Sequence, residues 1–294
     1  MVTLIEKSCG NLTLSVAPEL GGAIAALNWR DCAILRPLQI NGELRANLCG
    51  SYPLIPWSNR IAQSQFSFAG QTWQVAKNFG DHPHAIHGNG WQAAWKVTSE
   101  SSNSILLEMT HDASEAWPWP YHAIQLMELS EHALRVSMTY INQAETSVPV
   151  GLGFHPFFAH ASECEICFVA KKVWLNDASA LPSQESEIPK EWDYNTFRQP
   201  QFGSVDNCFT GWNGSAQIRW PRRDITATVS SDTVTNAVLF IPGAERNVVA
   251  IEPVSNINNA INLLPVGSDD RAMRLLPSGE RFSVSMEIRI AEHA

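Results

Sequence analysis

The stretch Phe66-Ser67-Phe68-Ala69-Gly70-Gln71-Thr72-Trp73-Gln74-Val75 sets the reading of the whole chain. Phe66-Ser-Phe68 and Trp73-Gln-Val75 alternate apolar and polar residues, with Ala69-Gly70-Gln71 as a turn between them. Alternation at period two puts every second side chain on one face of an extended strand. A glycine-bearing turn then folds the second run back beside the first. The same pattern recurs at Leu12-Thr-Leu-Ser-Val16. Further strands are expected at 95–98, 105–110, 123–129, 134–141, 216–220, 226–230, 237–241, 248–251 and 282–290. Turn-rich segments such as 99–104 and Pro242-Gly-Ala-Glu245 separate them. No segment sustains helical periodicity; 183–194 has room for a short helical turn, which Pro189 weakens. Many short strands at close spacing indicate an all-β sandwich or barrel. No linker, composition break or repeat divides the 294 residues, so one domain spanning 1–294 is expected.

Composition narrows the function. Hydrophobic residues make up 45% and charged residues 17%, as in an ordinary globular chain. A net charge of −9 without clustered Lys and Arg argues against a nucleic-acid partner and an acidic membrane surface. Met1-Val-Thr-Leu-Ile-Glu-Lys shows no basic and then apolar leader, and no apolar run approaches bilayer length. The cysteines are scattered; Cys164 and Cys167 form a lone CxxC with no second pair to complete a zinc site. The expectation is a reduced, cytoplasmic protein in which this pair is structural. Eleven tryptophans suit a large core, and equally the apolar face of a sugar ring, since indole joins a flat face to one donor.

Four polar clusters interrupt the strand pattern. Gly151-Leu-Gly-Phe-His155-Pro-Phe-Phe158 holds a histidine on backbone that the following proline keeps extended. It is either a core histidine bonded to a carbonyl or a titratable group presented to a cleft. Pro53-Leu-Ile-Pro-Trp57-Ser-Asn59-Arg60-Ile61 either aims a guanidinium fork at a ligand or ties it to carbonyls. Asp81-His-Pro-His-Ala-Ile-His87-Gly88-Asn89 invites a metal. On a strand, however, His82 and His84 would share a face that His87 leaves, and no metal is expected. Glu252 ends the apolar run Val249-Ala-Ile and is locked by Pro253; desolvation there would raise its pKa.

In order along the chain, Asn59-Arg60-Ile61, His87-Gly88, Trp117-Pro-Trp-Pro-Tyr121, His155-Pro-Phe-Phe158, Asp206-Asn-Cys-Phe209 and Glu252-Pro253 resemble the aldose 1-epimerase (mutarotase) family. The resemblance implies a large antiparallel β-supersandwich and an isomerase that exchanges the α and β anomers of a free aldose without a cofactor. It implies Glu252 as general base at the C1 hydroxyl and His155 as general acid at the ring oxygen. It also implies Arg60, His87, Asp206 and Asn59 as residues that hold the sugar. Acid and base should face each other across a cleft, roughly 5–8 Å apart by analogy with other acid/base pairs. The chain departs from the family at Asn89, Phe154, Val254 and Asn258-Asn259, positions expected near substrate, with Phe154 foremost for sugar preference. Three other readings stand beside this one: a non-catalytic sugar-binding or sensing protein, an epimerase of a phosphorylated hexose, and a glycosidase using Asp206 and Glu252.

Overall fold

The hairpin at 66–75 forms, as a computed structural model describing residues 2–292 shows. Gln65–Phe68 pairs antiparallel with Gln71–Gln74, Phe68 facing Gln71. Ala69 and Gly70 take φ of 52° and 76°, the doubly left-handed turn whose twist suits a two-residue hairpin.

Two large sheets carry the chain. One has eight strands: Lys96–Glu100, Ser104–His111, Tyr121–Leu129, Ala133–Asn142, Arg281–Glu292, Ile225–Ser230, Ser215–Trp220 and Glu165–Phe168, in spatial order. The other has twelve, running along Ile5–Cys9, Leu12–Ala17, Ala23–Trp29, Cys32–Leu35, Phe157–Ala159, Val248–Val254, Asn236–Ile241, Val205–Thr210, Lys172–Asn176 and Pro182–Ser186. Gly153–Phe154 and Pro53–Leu54 join it off that path. Ladder pairings in both sheets are antiparallel. Buried residues of both sheets merge into one hydrophobic cluster, from Met138 and Met286 to Phe158 and Leu239. The fold is an antiparallel β-sandwich, in keeping with the supersandwich that the resemblance implies.

The segment 183–194 does hold a short helical turn, confined to its second half. Pro182–Ser186 extends the sheet edge, and only Lys190–Trp192, directly after Pro189, forms a 3-10 turn. Proline suits the start of such a turn because it lacks a donor there. Trp57 and Trp117 separate from the sugar reading. Trp57, Trp117 and Phe66 pack together, with ring centroids 5.1 and 5.6 Å apart. Their burial spends the Trp117-Pro-Trp motif on the core.

Candidate active site

Sheet register builds the site. Gly153 pairs with Val254 and Phe157 with Ala250, so continuing that register sets His155 opposite Glu252. Across the next strands Glu252 faces Val238 and Ala250 faces Phe240. Phe240 in turn faces Asp206, and Val238 faces Cys208. Residues two apart share a face, so His155 and Glu252 stand in one row while Phe157, Phe240 and Asp206 stand in the next. Together they floor a cleft of ≈200 Å³ whose walls include Tyr52, Asn59, Arg60 and His87.

His155 and Glu252 are 5% and 2% exposed, and His155 Nε2 lies 3.1 Å from Glu252 Oε1. The sugar-ring gap of ~5–8 Å expected between them is therefore corrected to direct contact. Directly opposed residues of an antiparallel pair have Cα atoms only about 4.5–5.5 Å apart, which leaves no ring's width between their side chains. The imidazole is clamped between Tyr52, at 4.7 Å, and Phe157, at 4.3 Å. Its amide donates to the Tyr52 carbonyl at 3.1 Å. Glu252 Oε2 is buried and has no protein partner.

His87 reaches the cleft on strained backbone. Its φ is +63° and that of Asn59 is +61°, each a conformation costing about 1–3 kcal/mol. The two residues lock one another: the Asn59 amide donates to His87 Nδ1 at 3.1 Å, and the His87 amide to the Asn59 carbonyl at 2.9 Å. With Nδ1 accepting, the neutral ring carries its proton on Nε2 and is a donor there. Gly88 is required beside it, since a Cβ would stand 1.8 Å from the Ile55 carbonyl oxygen. Asn89 anchors the far side of this loop. Tyr121 Oη donates to Asn89 Oδ1 at 2.8 Å, and Asn89 Nδ2 lies 2.9 Å from His111 Nδ1. His84 is turned away, its Nδ1 accepting from the Gln63 amide and its Nε2 facing the Ser179 carbonyl.

Arg60 donates to Asp206 at 2.9 Å and to Asn59 Oδ1 at 3.0 Å. Its loop is held by three asparagines, of which sequence reading placed Asn258 and Asn259 near substrate. Asn258 Oδ1 accepts from the Arg60 amide, Asn259 Oδ1 from the Ala62 amide, and Asn256 Oδ1 from Ser58 Oγ.

Burial dominates the electrostatics. It pushes Glu252 well above the usual carboxylate range, with Asp206 adding to the rise and Arg60 opposing it. It pushes His155 well down, helped by His87, Arg36 and Arg246. His87 falls to about 3, from burial and then from Arg60. Tyr52 is raised, so its phenol stays protonated. Cys164 is pushed up to about 12 and Cys167 is also raised by burial, the opposite of what a reactive CxxC needs.

All six residues singled out from the sequence, Asn59, Arg60, His87, His155, Asp206 and Glu252, line this one cleft. Phe154 does not. It is 2% exposed and, one residue from His155, occupies the opposite, core side of its strand. Tyr52, Phe240 and Arg246 line the cleft without having drawn attention. Arg246 stands 5.7 and 5.6 Å from the Phe157 and Phe240 rings; only the sheet register could have brought it there. Among the described residues no cluster of His, Cys, Asp and Glu is arranged to hold a metal, and no helix is long and apolar enough to cross a membrane.

Fold and site thus define an antiparallel β-sandwich protein with a buried histidine–glutamate pair set in one sheet's face. Comparison with known sequences makes the assignment specific: the aldose 1-epimerase family model matches residues 4–289, and the chain belongs to that family. The chain is 31% identical to the uncharacterized protein YphB of Escherichia coli (strain K12) over 223 residues, covering 75% of this chain and 74% of the relative. It is 25% identical to the uncharacterized protein YihR of the same strain over 276 residues, or 88% and 89%. Among solved structures, an Escherichia coli K12 protein provisionally named an aldose 1-epimerase superposes with a TM-score of 0.91. That match has 25% identity and covers 100% of both chains.

Proposed function

We propose that the protein is an aldose 1-epimerase acting on a free aldose in the ≈200 Å³ cleft. Glu252 removes the proton from the C1 hydroxyl while His155 delivers one to the ring oxygen. The C1–O5 bond then breaks to give the open aldehyde. Rotation about C1–C2 presents the other face, and closure runs both transfers backwards, returning each proton to its starting group. No electrons move and no group is transferred, so the residues suffice.

The observation that carries this reading is the buried Glu252–His155 contact of 3.1 Å. Burial raises the proton affinity of Glu252 and lowers that of His155. The carboxylate is thus a stronger base, and the imidazolium a stronger acid, than either is in water. His87 Nε2–H and Arg60 supply donors for sugar hydroxyls. A glycosidase would need two carboxylates free to flank a bond, whereas Asp206 is held by Arg60 at 2.9 Å.

The test is NMR saturation exchange or polarimetry on freshly dissolved α-aldoses, comparing wild type with Glu252→Gln and His155→Asn. Acceleration by wild type and its loss in both variants is the expected result. Sugar binding without acceleration would convert the reading to a sugar-binding or sensing protein. Exchange confined to phosphorylated hexoses would move the substrate to that class.

A further inference from the structure

Beside the cleft lies a larger hollow of ≈470 Å³ that anomer exchange does not use. Its walls come from the 19–21 turn, the 44–47 segment, the 78–80 segment and Trp91-Gln92. Asn47 and Phe79 line both spaces, so hollow and cleft adjoin along a common wall. That wall is held in place from behind. The Arg36 guanidinium donates to the Asn47 and Cys49 carbonyls, at 2.7 Å each, and stacks 4.0 Å over Phe157.

The hollow has mixed chemistry. Phe79 is 39% exposed, a large apolar ring left open to solvent, and the Trp91 ring lies 6.0 Å from it. Trp91 is in turn 5.6 Å from Tyr52, the ring stacked on His155. An aromatic series therefore leads from the hollow to the catalytic pair. Acceptor oxygens come from the exposed Glu19 carboxylate, which belongs to the same lining. A pyranose presents an apolar C–H face and a rim of hydroxyl donors, and an aromatic face edged by acceptor oxygens complements both.

We propose that the hollow is a second sugar subsite and that the substrate is the reducing end of a disaccharide or short oligosaccharide. The reducing pyranose occupies the cleft with C1 at Glu252 and His155. The next ring passes the Asn47–Phe79 wall and rests against Phe79, its hydroxyls donating to Glu19. This rests on the anomer-exchange reading and adds no chemical step to it, since C1 of the reducing unit is free in either sugar.

The experiment measures saturation exchange and calorimetric binding for glucose and galactose against maltose, cellobiose and lactose. It uses wild type and Glu19→Ala, an exposed position outside the cleft. The expected result is a kcat/KM for at least one disaccharide about tenfold above that of its reducing monosaccharide, roughly the worth of one good subsite contact. Glu19→Ala should cut the disaccharide value severalfold and leave the monosaccharide value unchanged. Exchange of monosaccharides with no disaccharide preferred, or an equal effect of Glu19→Ala on both, overturns the subsite and leaves anomer exchange standing. Glu19-dependent disaccharide binding without any acceleration does the reverse. Neither binding nor exchange of any sugar overturns both.

Discussion

Two strands of similar length show how differently the sheets are buried. Tyr121–Leu129, in the eight-stranded sheet, is fully buried only at every second residue. Val248–Val254, in the twelve-stranded sheet, is buried at all seven positions, and Phe157–Ala159 beside it at all three. One sheet has a wet face; the centre of the other is covered on both sides. An ionisable pair on the first would be hydrated and would titrate as in water. On the second it is stripped of water, and its proton affinities move. The proposed chemistry sits where the sheet is driest.

The largest effect expected of any single change is on the pair itself. Glu252→Gln should lower kcat by about 10²–10⁴, some 3–5 kcal/mol of barrier, read by polarimetry under saturating sugar. An undiminished rate would detach the reaction from the doubly covered strand. Next comes stability. Phe158→Ala, at a fully buried position of that same sheet centre, should cost about 3–5 kcal/mol in denaturant unfolding. An alanine scan along 248–254 should show no alternation, while one along 121–129 should alternate. At the exposed Glu128, Glu128→Ala should stay within about 0.5 kcal/mol.

The pH dependence sharpens the same contrast. His87 is held at about 3 in the fold against an ordinary ~6.5 in the unfolded chain. Between these values the unfolded state binds the extra proton, so stability falls as pH drops from ~6.5 toward 3, by about 1.4 kcal/mol per unit for this group. His87→Gln should remove that one-proton slope in urea titrations. Glu252 acts oppositely: its raised pKa makes the folded state the better proton binder above ~4.3, so its contribution declines as pH rises through that window. For catalysis the pair must share one proton. The kcat/KM profile should therefore be a bell, with its acid limb below the usual histidine range and its alkaline limb above the usual carboxylate range. A smaller change tests the loop. Asn89→Ala leaves the Tyr121 hydroxyl without its acceptor and should cost about 1–3 kcal/mol.

Legibility in the sequence followed that divide only in part, since the doubly covered runs at 237–241 and 248–251 were read as strands from their apolar character. Strands with one wet face, such as Ser104–His111 and Ala133–Asn142, announced themselves by alternation. Phe157–Ala159 and Val205–Thr210, buried on both sides, gave no period to read. The six cleft residues were found through short motifs in order, because His155-Pro156 and Glu252-Pro253 are distinctive locally. Their mutual distance was not, since it depends on a register linking residues 97 positions apart. Phe154 was misplaced for want of its strand's facing. Asn258 and Asn259 were taken for substrate neighbours because a side chain that serves backbone looks, in a sequence, like any other polar residue.

Those asparagines leave the Arg60 loop in an unusual mechanical position. Beside the main-chain pairing of Arg60-Ile61 with Ala85-Ile86, the Arg60 and Ala62 amides donate to Asn258 and Asn259 side-chain oxygens. Each such tie opens by rotation of one side chain, with no parting of strands. Amide exchange at 60 and 62 should accordingly run on a clock separate from that of the Val248–Val254 ladder, and the guanidinium lining the cleft can be retimed without loosening the sheet beneath it.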